Sequence, residues 1–432
     1  MARILLIPSS MKGFTAAIFV FTATMASAAS FDLRTAYPSD TAGNPVQVNL
    51  GEPFYMTAKF HVDGAPAGPY RLTFALPYMS RTTTDFNYSG DCWATWGPFT
   101  DFLDTPTTMK VSIESSGNAL ADPLTVGISA TLPTTGIEYF SPQSLSGSIG
   151  ASAKLTKGTA SGLQWFSPLP ITEGFQRVLV AVQQGTKITS TPFSQPAISL
   201  SKVESVNMRL VTVASSCRIN PSLLRTVTFN SYRSLPSATS TWLRSETLAQ
   251  SKSSDIGAFV AKSLPRTYKT TMKPYDAVQK LFQAVVAKMQ YVVMDKQPDA
   301  VTAYRTGKGD CGFFTALFVA ACRNIGVPAR AVSGFMVGTN QWHVWAEFLV
   351  PGYGWIPCDP TYCDSLSPDG SLPLYFGTIP ELNQRVATTY GFDHTLSGHA
   401  FPRLQSPGVW VTGSTKVSSV QPFCNLAVAN GQ

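Results

Sequence analysis

The hydrophobic periodicity of the chain changes along its length, and this change limits the folds that the chain can adopt. Between about Phe31 and Leu200, apolar residues alternate in short runs separated by Gly, Pro, Asn and Asp, as at 54–60 and 70–76. This period of two is typical of strands. After Pro274, apolar residues recur at the spacing of one buried helix face: 278, 281, 282, 285 and 289. We therefore expect a β-rich N-terminal region followed by an α+β region.

A second helix is predicted to begin at Cys311, and strands are predicted to follow it. Apolar residues at 314, 317, 318 and 321 share one helix face, and Gly326 with Pro328 ends that helix. Strands are expected at 331–337, 343–350 and 355–357, the last two joined by a hairpin at 351–354. The expected architecture is a helix that carries Cys311 and packs on an antiparallel sheet.

The N-terminal region, residues 29–205, is predicted to form one or two β-sandwich modules, with a break near 133. Residues 206–432 are predicted to form the α+β domain. The sandwich region offers no cluster of catalytic side chains. We expect it to act as a spacer or as a binding module that contacts a cell-surface polymer or protein.

Residues 1–28 have the pattern of a secretory signal peptide. Lys12 precedes an apolar stretch at 14–25, and Ala26-Ser27-Ala28 forms a small-x-small cleavage site. The stretch is shorter than the roughly 18 apolar residues of a membrane span, and no later stretch reaches that length. We expect an exported chain, periplasmic or extracellular, without stable membrane insertion. A retained N-terminal anchor is the alternative.

The charge balance is basic but dilute. The 432 residues include 32 Lys and Arg and 25 Asp and Glu, which gives a formal net charge of +7. The basic residues form no run, which argues against a nucleic-acid partner and favours solubility or weak contact with anionic polymers. No spacing of ligands predicts a zinc or calcium site, so neither a metal nor a cofactor is expected.

Seven cysteines form an odd set: 92, 217, 311, 322, 358, 363 and 424. In an oxidising compartment an odd number leaves at least one thiol unpaired, which suits a reactive cysteine. Cys358 and Cys363 bracket a predicted turn and are the favoured bridge. Cys92 with Cys217 is a second candidate pair, and Cys322 on an apolar helix face is expected to be a buried thiol.

Three residues form a candidate catalytic set. Cys311 opens its helix, where unpaired N–H groups and the helix dipole favour the nucleophilic thiolate. His343 lies on a predicted strand and can act as a general base. Asp359 follows a hairpin from His343, so it can lie beside the imidazole, hold its tautomer and stabilise its charged form.

The segment 291–361 resembles the core of the transglutaminase-like superfamily, a papain-like fold shared by transglutaminases, bacterial proteases and peptide N-glycanases. The resemblance rests on four motifs in this order: Gly309-Asp310-Cys311, Asn324-Ile325-Gly326-Val327-Pro328-Ala329-Arg330, His343-Val344-Trp345-Ala346-Glu347 and Asp359-Pro360-Thr361. It implies that Cys311 is the nucleophile, His343 the base and Asp359 the orienting carboxylate. Val344 departs from the alanine that is commoner in the family.

The donor that would stabilise an oxyanion has no clear match to the family. Gln290 is a candidate only by residue type, and we interpret it instead as a glutamine at the core edge. The backbone N–H of Cys311 is the better donor. His394 and His399 lie beyond the motifs and are expected at the surface.

Three functions are consistent with this pattern. The first is a secreted cysteine hydrolase that cleaves peptide or amide bonds of a protein or peptide through a thioester on Cys311. The second is a protein-glutamine transglutaminase that cross-links proteins. The third is a non-catalytic envelope or adhesion scaffold, against which the presence of all three catalytic residue types argues.

Overall fold

A computed structural model describes residues 29–66, 68–366 and 375–429. It divides the chain into two compact units, with the division between Leu132 and Pro133. The predicted signal peptide, 1–28, lies outside the described residues. Within the described ranges, no helix has the length and apolar character needed to cross a bilayer.

The first unit is all β. Its strands are β1 (Ser30–Ser39), β2 (Pro53–Asp63), β3 (Arg71–Leu76), β4 (Met79–Thr82), β5 (Gly90–Thr100), β6 (Thr107–Ser115), β7 (Asn118–Ala119) and β8 (Leu124–Ile128). One sheet has the order β1-β2-β5, and the other has the order β4-β3-β6-β7 with β8 also paired to β6. Alternate residues of both sheets share one apolar core, which includes Phe60, Phe74 and Val111. This packing of two sheets confirms a β-sandwich in this part of the chain.

The second unit contains the remaining strands and all the described helices. Its strands are β9 (Ile137–Lys157), β10 (Leu163–Pro168), β11 (Gln176–Val182), β12 (Thr186–Thr189), β13 (Pro196–Ser201), β14 (Ser205–Ile219), β15 (Gln290–Tyr291), β16 (Lys308–Gly309), β17 (Ala329–Met336), β18 (Gln341–Val350), β19 (Gly354–Cys358), β20 (Arg385–Tyr390), β21 (His394–Leu396), β22 (His399–Phe401), β23 (Gly408–Val411), β24 (Lys416–Cys424) and β25 (Ala427–Val428). Its α-helices are α1 (Pro221–Leu224), α2 (Ser237–Ser240), α3 (Ser254–Ser263), α4 (Tyr268–Thr271), α5 (Pro274–Lys288), α6 (Ala300–Thr306), α7 (Cys311–Asn324) and α8 (Pro360–Leu366). Short 3-10 turns lie at Ala160–Gly162, Phe229–Tyr232, Thr241–Leu243 and Pro380–Gln384.

The division between the units differs from the boundary expected between 205 and 206. That position falls at the start of β14, which pairs with β9 along its whole length, and β24 pairs with the other edge of β9. Strand β23 pairs with β10, and Trp165 packs in one core with Val206 and Val411. Residues 133–205 therefore fold with the C-terminal part of the chain. Pairing between strands that are some 250 residues apart leaves no local pattern in the sequence.

The helix-and-sheet part of the second unit confirms the predicted α+β architecture. Helices α5 and α7 begin at Pro274 and Cys311, and β17, β18 and β19 lie at the three predicted strand positions. These strands form an antiparallel sheet of order β19-β18-β17-β20. Helix α7 packs on β18 and is enclosed by α3, α5 and α6. Because α7 is covered on all sides, residues 312–323 are all buried.

Candidate active site

Cys311 is the first residue of α7 and lies at its N-terminal end. Asp310 is the N-cap residue of the helix, and its Oδ1 accepts a hydrogen bond from the Gly312 N–H at 3.0 Å. An acidic N-cap fixes the first turn of a helix by satisfying one of its unpaired N–H groups. Cys311 is partly exposed, whereas the residues after it are buried. The thiol is therefore held at the rim of a rigid core.

Helix α7 is tied to the strand that carries His343. The Thr315 hydroxyl, one turn after Cys311, donates to the carbonyl of Val344 at 3.0 Å. Within the sheet, His343 of β18 is the register partner of Gly334 on the neighbouring strand β17. A Cβ atom at Gly334 would lie 1.9 Å from the carbonyl oxygen of Val386 on β20. Only glycine permits this close approach of β17 and β20 beside the histidine.

The three predicted catalytic residues lie together. His343 Nε2 donates to Asp359 Oδ2 at 2.6 Å, and both side chains are buried. Cys311 lines the same cavity as His343 and raises the pKa of its imidazole, so the thiol lies close to the ring. Because Nε2 is engaged by the carboxylate, Nδ1 is the ring nitrogen that remains for the thiol. Asp359 Oδ1 accepts from the Tyr362 N–H at 3.1 Å, which fixes the carboxylate at the start of α8.

The charges of the site favour an ionised histidine. Burial lowers the pKa of His343, but the Asp359 carboxylate and Cys311 outweigh burial and raise that pKa to about 9. Burial also raises the pKa of Asp359, but His343 and Arg385 outweigh it and hold the pKa well below its usual range. At neutral pH the two side chains therefore form a buried imidazolium–carboxylate pair.

Arg385 is a further charged residue of the site that the sequence did not predict. Its Nη1 lies 2.5 Å from Asp359 Oδ2, the same oxygen that accepts from His343, and its side chain is fully buried. Arg385 opens β20, 26 residues beyond Asp359 (385 minus 359) and outside every motif. The one local signal is a charge at the start of the strand Arg-Val-Ala-Thr-Thr-Tyr, whose residues are all buried.

Two cavities meet at Cys311, with volumes of about 450 and 490 Å³. Tyr291, Cys311 and Trp342 line both. The walls of the first also include five polar residues, Gln297, Asp310, Arg403, Gln405 and Ser406. The second contains His343 and is otherwise lined by Met336, Gln341, Thr361, Tyr362, Asp364 and Ser365. Tyr291 reaches this position because β15 pairs in parallel with β16, where Tyr291 faces Gly309. Both cavities therefore adjoin Cys311.

The predicted cysteine bridges are not formed. Cys358 is a buried thiol whose Sγ lies 3.9 Å from the carbonyl of Ile356, so the favoured bridge to Cys363 is wrong. The prediction assumed a turn between these residues, whereas α8 begins at Pro360 and makes this stretch helical. Cys92 and Cys217 are also both thiols. Cys322 is the buried thiol that was predicted.

Two other residues lie where the sequence did not place them. His394 is fully buried rather than at the surface, because its Nε2 donates to the Gly391 carbonyl at 3.2 Å inside the fold. Burial lowers the pKa of His394 to about 4. Gln290 is exposed on β15 and lines neither cavity, so the structure gives it no place beside Cys311. Within the described ranges, no three His, Cys, Asp or Glu side chains are grouped so as to hold a metal ion.

Comparisons with known proteins identify a family for part of the chain. The model of the transglutaminase-like superfamily matches residues 262–360, which include Cys311, His343 and Asp359. No curated protein matches the chain. A candidate cysteine protease from Cytophaga hutchinsonii is 14% identical, with a TM-score of 0.48, and the match covers 68% of this chain and 94% of that one.

Two further solved structures are more distant. The periplasmic domain of TgpA from Pseudomonas aeruginosa is 14% identical, with a TM-score of 0.26 and coverage of 52% of this chain and 90% of that one. A candidate protease from Parabacteroides distasonis is 9% identical, with a TM-score of 0.22, and the match covers 77% of this chain and 67% of that one. The family model and the geometry around α7 lead to one conclusion: residues 262–360 of this chain form a domain of the transglutaminase-like superfamily.

Proposed function

We propose that this protein is a cysteine hydrolase that cleaves peptide or amide bonds through a thioester on Cys311. One observation carries the proposal. His343 Nε2 donates to the buried Asp359 carboxylate, which leaves Nδ1 free to act on the thiol of Cys311, the first residue of α7 in the same cavity. This is the nucleophile, base and orienting group of a thiol acyltransferase.

The reaction begins with attack of the Cys311 sulfur on the substrate carbonyl carbon. The carbonyl electron pair moves to the oxygen, and the N–H of Cys311 can stabilise that oxyanion because a first-turn N–H has no carbonyl partner within its helix. The C–N bond then breaks, and the protonated His343 gives its proton to the leaving amine. This step leaves a thioester and a neutral imidazole.

Water completes the cycle. His343 takes a proton from a water molecule, the resulting hydroxide adds to the thioester carbonyl, and the carboxylic acid leaves as Cys311 recovers its sulfur charge. Cys311 is partly exposed, and a cavity lies on either side of it. Since water reaches the thioester from the open cleft, hydrolysis is favoured over transfer.

Cross-linking by transamidation is the second candidate, and one feature favours it. Asp364 lines the cavity that also contains His343. A carboxylate there would attract the ammonium form of a lysine side chain toward the thioester. A non-catalytic scaffold is the third candidate, and the assembled Cys311, His343 and Asp359 argue against it.

We also propose that the protein is exported and that its first unit contacts a cell-surface polymer or protein. The signal-like pattern at 1–28 supports export. Tyr88 and Trp93 of the first unit are exposed at 40% and 39%, and aromatic side chains of this kind are enriched at binding surfaces.

The test uses the chain from residue 29 onward and a library of quenched fluorescent peptides, with and without a labelled primary amine. Cys311→Ala should abolish cleavage, and Cys424→Ala should retain it, because Cys424 is also a partly exposed thiol but lies in β24. Cleavage without amine incorporation supports the hydrolase, and incorporation into glutamine peptides supports the transglutaminase. Activity that persists in Cys311→Ala would refute both.

A further inference from the structure

Two positive groups share one oxygen atom of Asp359. His343 Nε2 lies 2.6 Å from Oδ2, and Arg385 Nη1 lies 2.5 Å from the same atom. All three side chains are buried. Arg385 Nη2 also lies 3.9 Å from Glu381 Oε1, and the Glu381 side chain is 24% exposed. The side chains of Glu381, Arg385, Asp359 and His343 therefore form a series of alternating negative and positive charges from the partly exposed Glu381 to the imidazole.

The remaining contacts of Arg385 do not explain its burial. Within the described residues, its Nε and Nη2 atoms have no hydrogen-bond acceptor. The rings of Tyr362 and Trp345 lie 4.9 and 5.4 Å from the guanidinium carbon. A buried arginine with unsatisfied donors is costly for the fold, so its position beside Asp359 points to a role in the site.

Other ionisable groups also face the imidazole and belong in the account. Cys311 of α7 lines the same cavity as His343, and the Tyr362 ring of α8 lies 5.2 Å from the imidazole. Tyr291 of β15 and Asp364 of α8 line the same cavity as His343. Arg385 differs from these groups because it is a cation that contacts the same oxygen of Asp359 as the imidazole does.

We propose that Arg385 is a positioning residue that sets the proton affinity of His343 through Asp359. Its guanidinium draws the charge of Oδ2 toward itself and opposes the positive charge of the imidazolium, so the imidazolium releases its proton to the leaving amine more easily. Its second effect is to hold the carboxylate in place. This inference rests on the proposed cysteine chemistry, but it concerns a proton equilibrium that can be measured without turnover.

The sign of the expected shift separates this role from a structural one. Like charges about 4–6 Å apart lower each other's proton affinity by about one unit or more. Removing the Arg385 charge should therefore raise the pH at which His343 loses its proton. Removing the negative charge of Glu381 should lower that pH, because Glu381 then no longer offsets the positive charge of Arg385. A residue that only fills space would produce neither shift.

The experiment is an NMR titration of the full chain labelled with 15N-histidine, in a Cys311→Ala background that removes the thiol from the equilibrium. Arg385→Met should raise the titration midpoint of His343 by about one pH unit or more. Arg385→Lys keeps the charge, so it should change the midpoint by no more than about a quarter of the shift expected for Arg385→Met. A midpoint that is unchanged or lower in a folded Arg385→Met protein would overturn the proposal.

A second variant covers the case in which Arg385→Met does not fold. Glu381→Gln changes a partly exposed side chain and should lower the His343 midpoint; an unchanged or raised midpoint would overturn the proposal. In the protein with Cys311 intact, the alkaline limb of kcat/KM should move by the same amount and in the same direction as the NMR midpoint. If wild-type turnover is absent but the midpoints shift as expected, the proposed function fails and the role of Arg385 stands.

Discussion

The molecule contains the same trio of side chains in two different settings. In the first unit, His61 Nδ1 and Arg34 Nη1 contact Asp91 Oδ1 at 2.7 and 2.8 Å. In the second unit, His343 and Arg385 contact Asp359 Oδ2 at 2.6 and 2.5 Å. The distances are nearly equal, but the Asp91 side chain is 78% exposed and that of Asp359 is fully buried.

Burial and a neighbouring thiol, rather than contact distance, distinguish the two trios. Water solvates the exposed charges and screens their attraction, so they have little effect on stability. The buried charges interact in a medium of lower dielectric constant, where each depends on its partners. Only the buried trio has a cysteine at a helix start beside its imidazole. The exposed trio is therefore a natural control for the buried one.

The largest expected difference is in activity. His343→Ala should lower kcat/KM for peptide cleavage by about 10²–10⁴-fold, because it removes the group that transfers protons to and from the leaving amine and water. His61→Ala should leave kcat/KM unchanged within about twofold. The two variants are compared in one assay with the same peptide. Equal losses in both, or no loss in His343→Ala, would contradict the assignment.

The next difference is in stability. Asp359→Ala leaves the buried His343 and Arg385 without their shared carboxylate, and it should lower the free energy of unfolding by about 3–5 kcal/mol. Asp91→Ala should leave the urea midpoint unchanged, since water solvates its partners. Urea unfolding followed by circular dichroism measures both. A stable Asp359→Ala protein would show that this site tolerates unpaired buried charge.

The pH dependence of stability gives a smaller effect. The pKa of His343 is about 9 in the fold against 6.5 for a free histidine, so its stabilisation is complete below pH 6.5 and is lost as the pH rises through 9. The loss should reach about 3 kcal/mol. Asp359, whose pKa is lowered, contributes above pH 3.8 and loses its contribution at lower pH. His343→Asn should flatten the decline between pH 6.5 and 9, and an unchanged slope in that variant would assign the decline to other groups.

The smallest effect concerns the link between helix and sheet. Thr315→Val removes the hydrogen bond from α7 to the Val344 carbonyl and should cost about 1–2 kcal/mol. The loss of kcat/KM should stay within about tenfold, because Cys311, His343 and Asp359 themselves are unchanged. Urea unfolding and the peptide assay separate the two effects. A loss of activity as large as that of His343→Ala would show that this bond controls the position of Cys311.

The comparison also shows what could be predicted from the sequence. Elements and residues that follow local patterns were predicted: the start of α7 at Cys311, the strand of His343, and Asp359 after a hairpin. Arg385 was not, because its role depends on β20 lying at the far edge of the sheet, beyond β17. A break near 133 was also predicted, but the return of β23 to β10 and of β24 to β9 was not, because it depends on strand pairing over long sequence distances. Such pairing is set by tertiary packing rather than by local periodicity.

The most direct test of the central claim is the rate at which iodoacetamide alkylates Cys311 at pH 6, read by peptide mass spectrometry. At that pH His343 is protonated, and its positive charge lies in the same cavity as the sulfur. The account predicts alkylation at least about tenfold faster than that of a free thiol, whose pKa is about 8.5, and loss of this advantage in His343→Asn. Alkylation of wild-type Cys311 at the rate of a free thiol would contradict it.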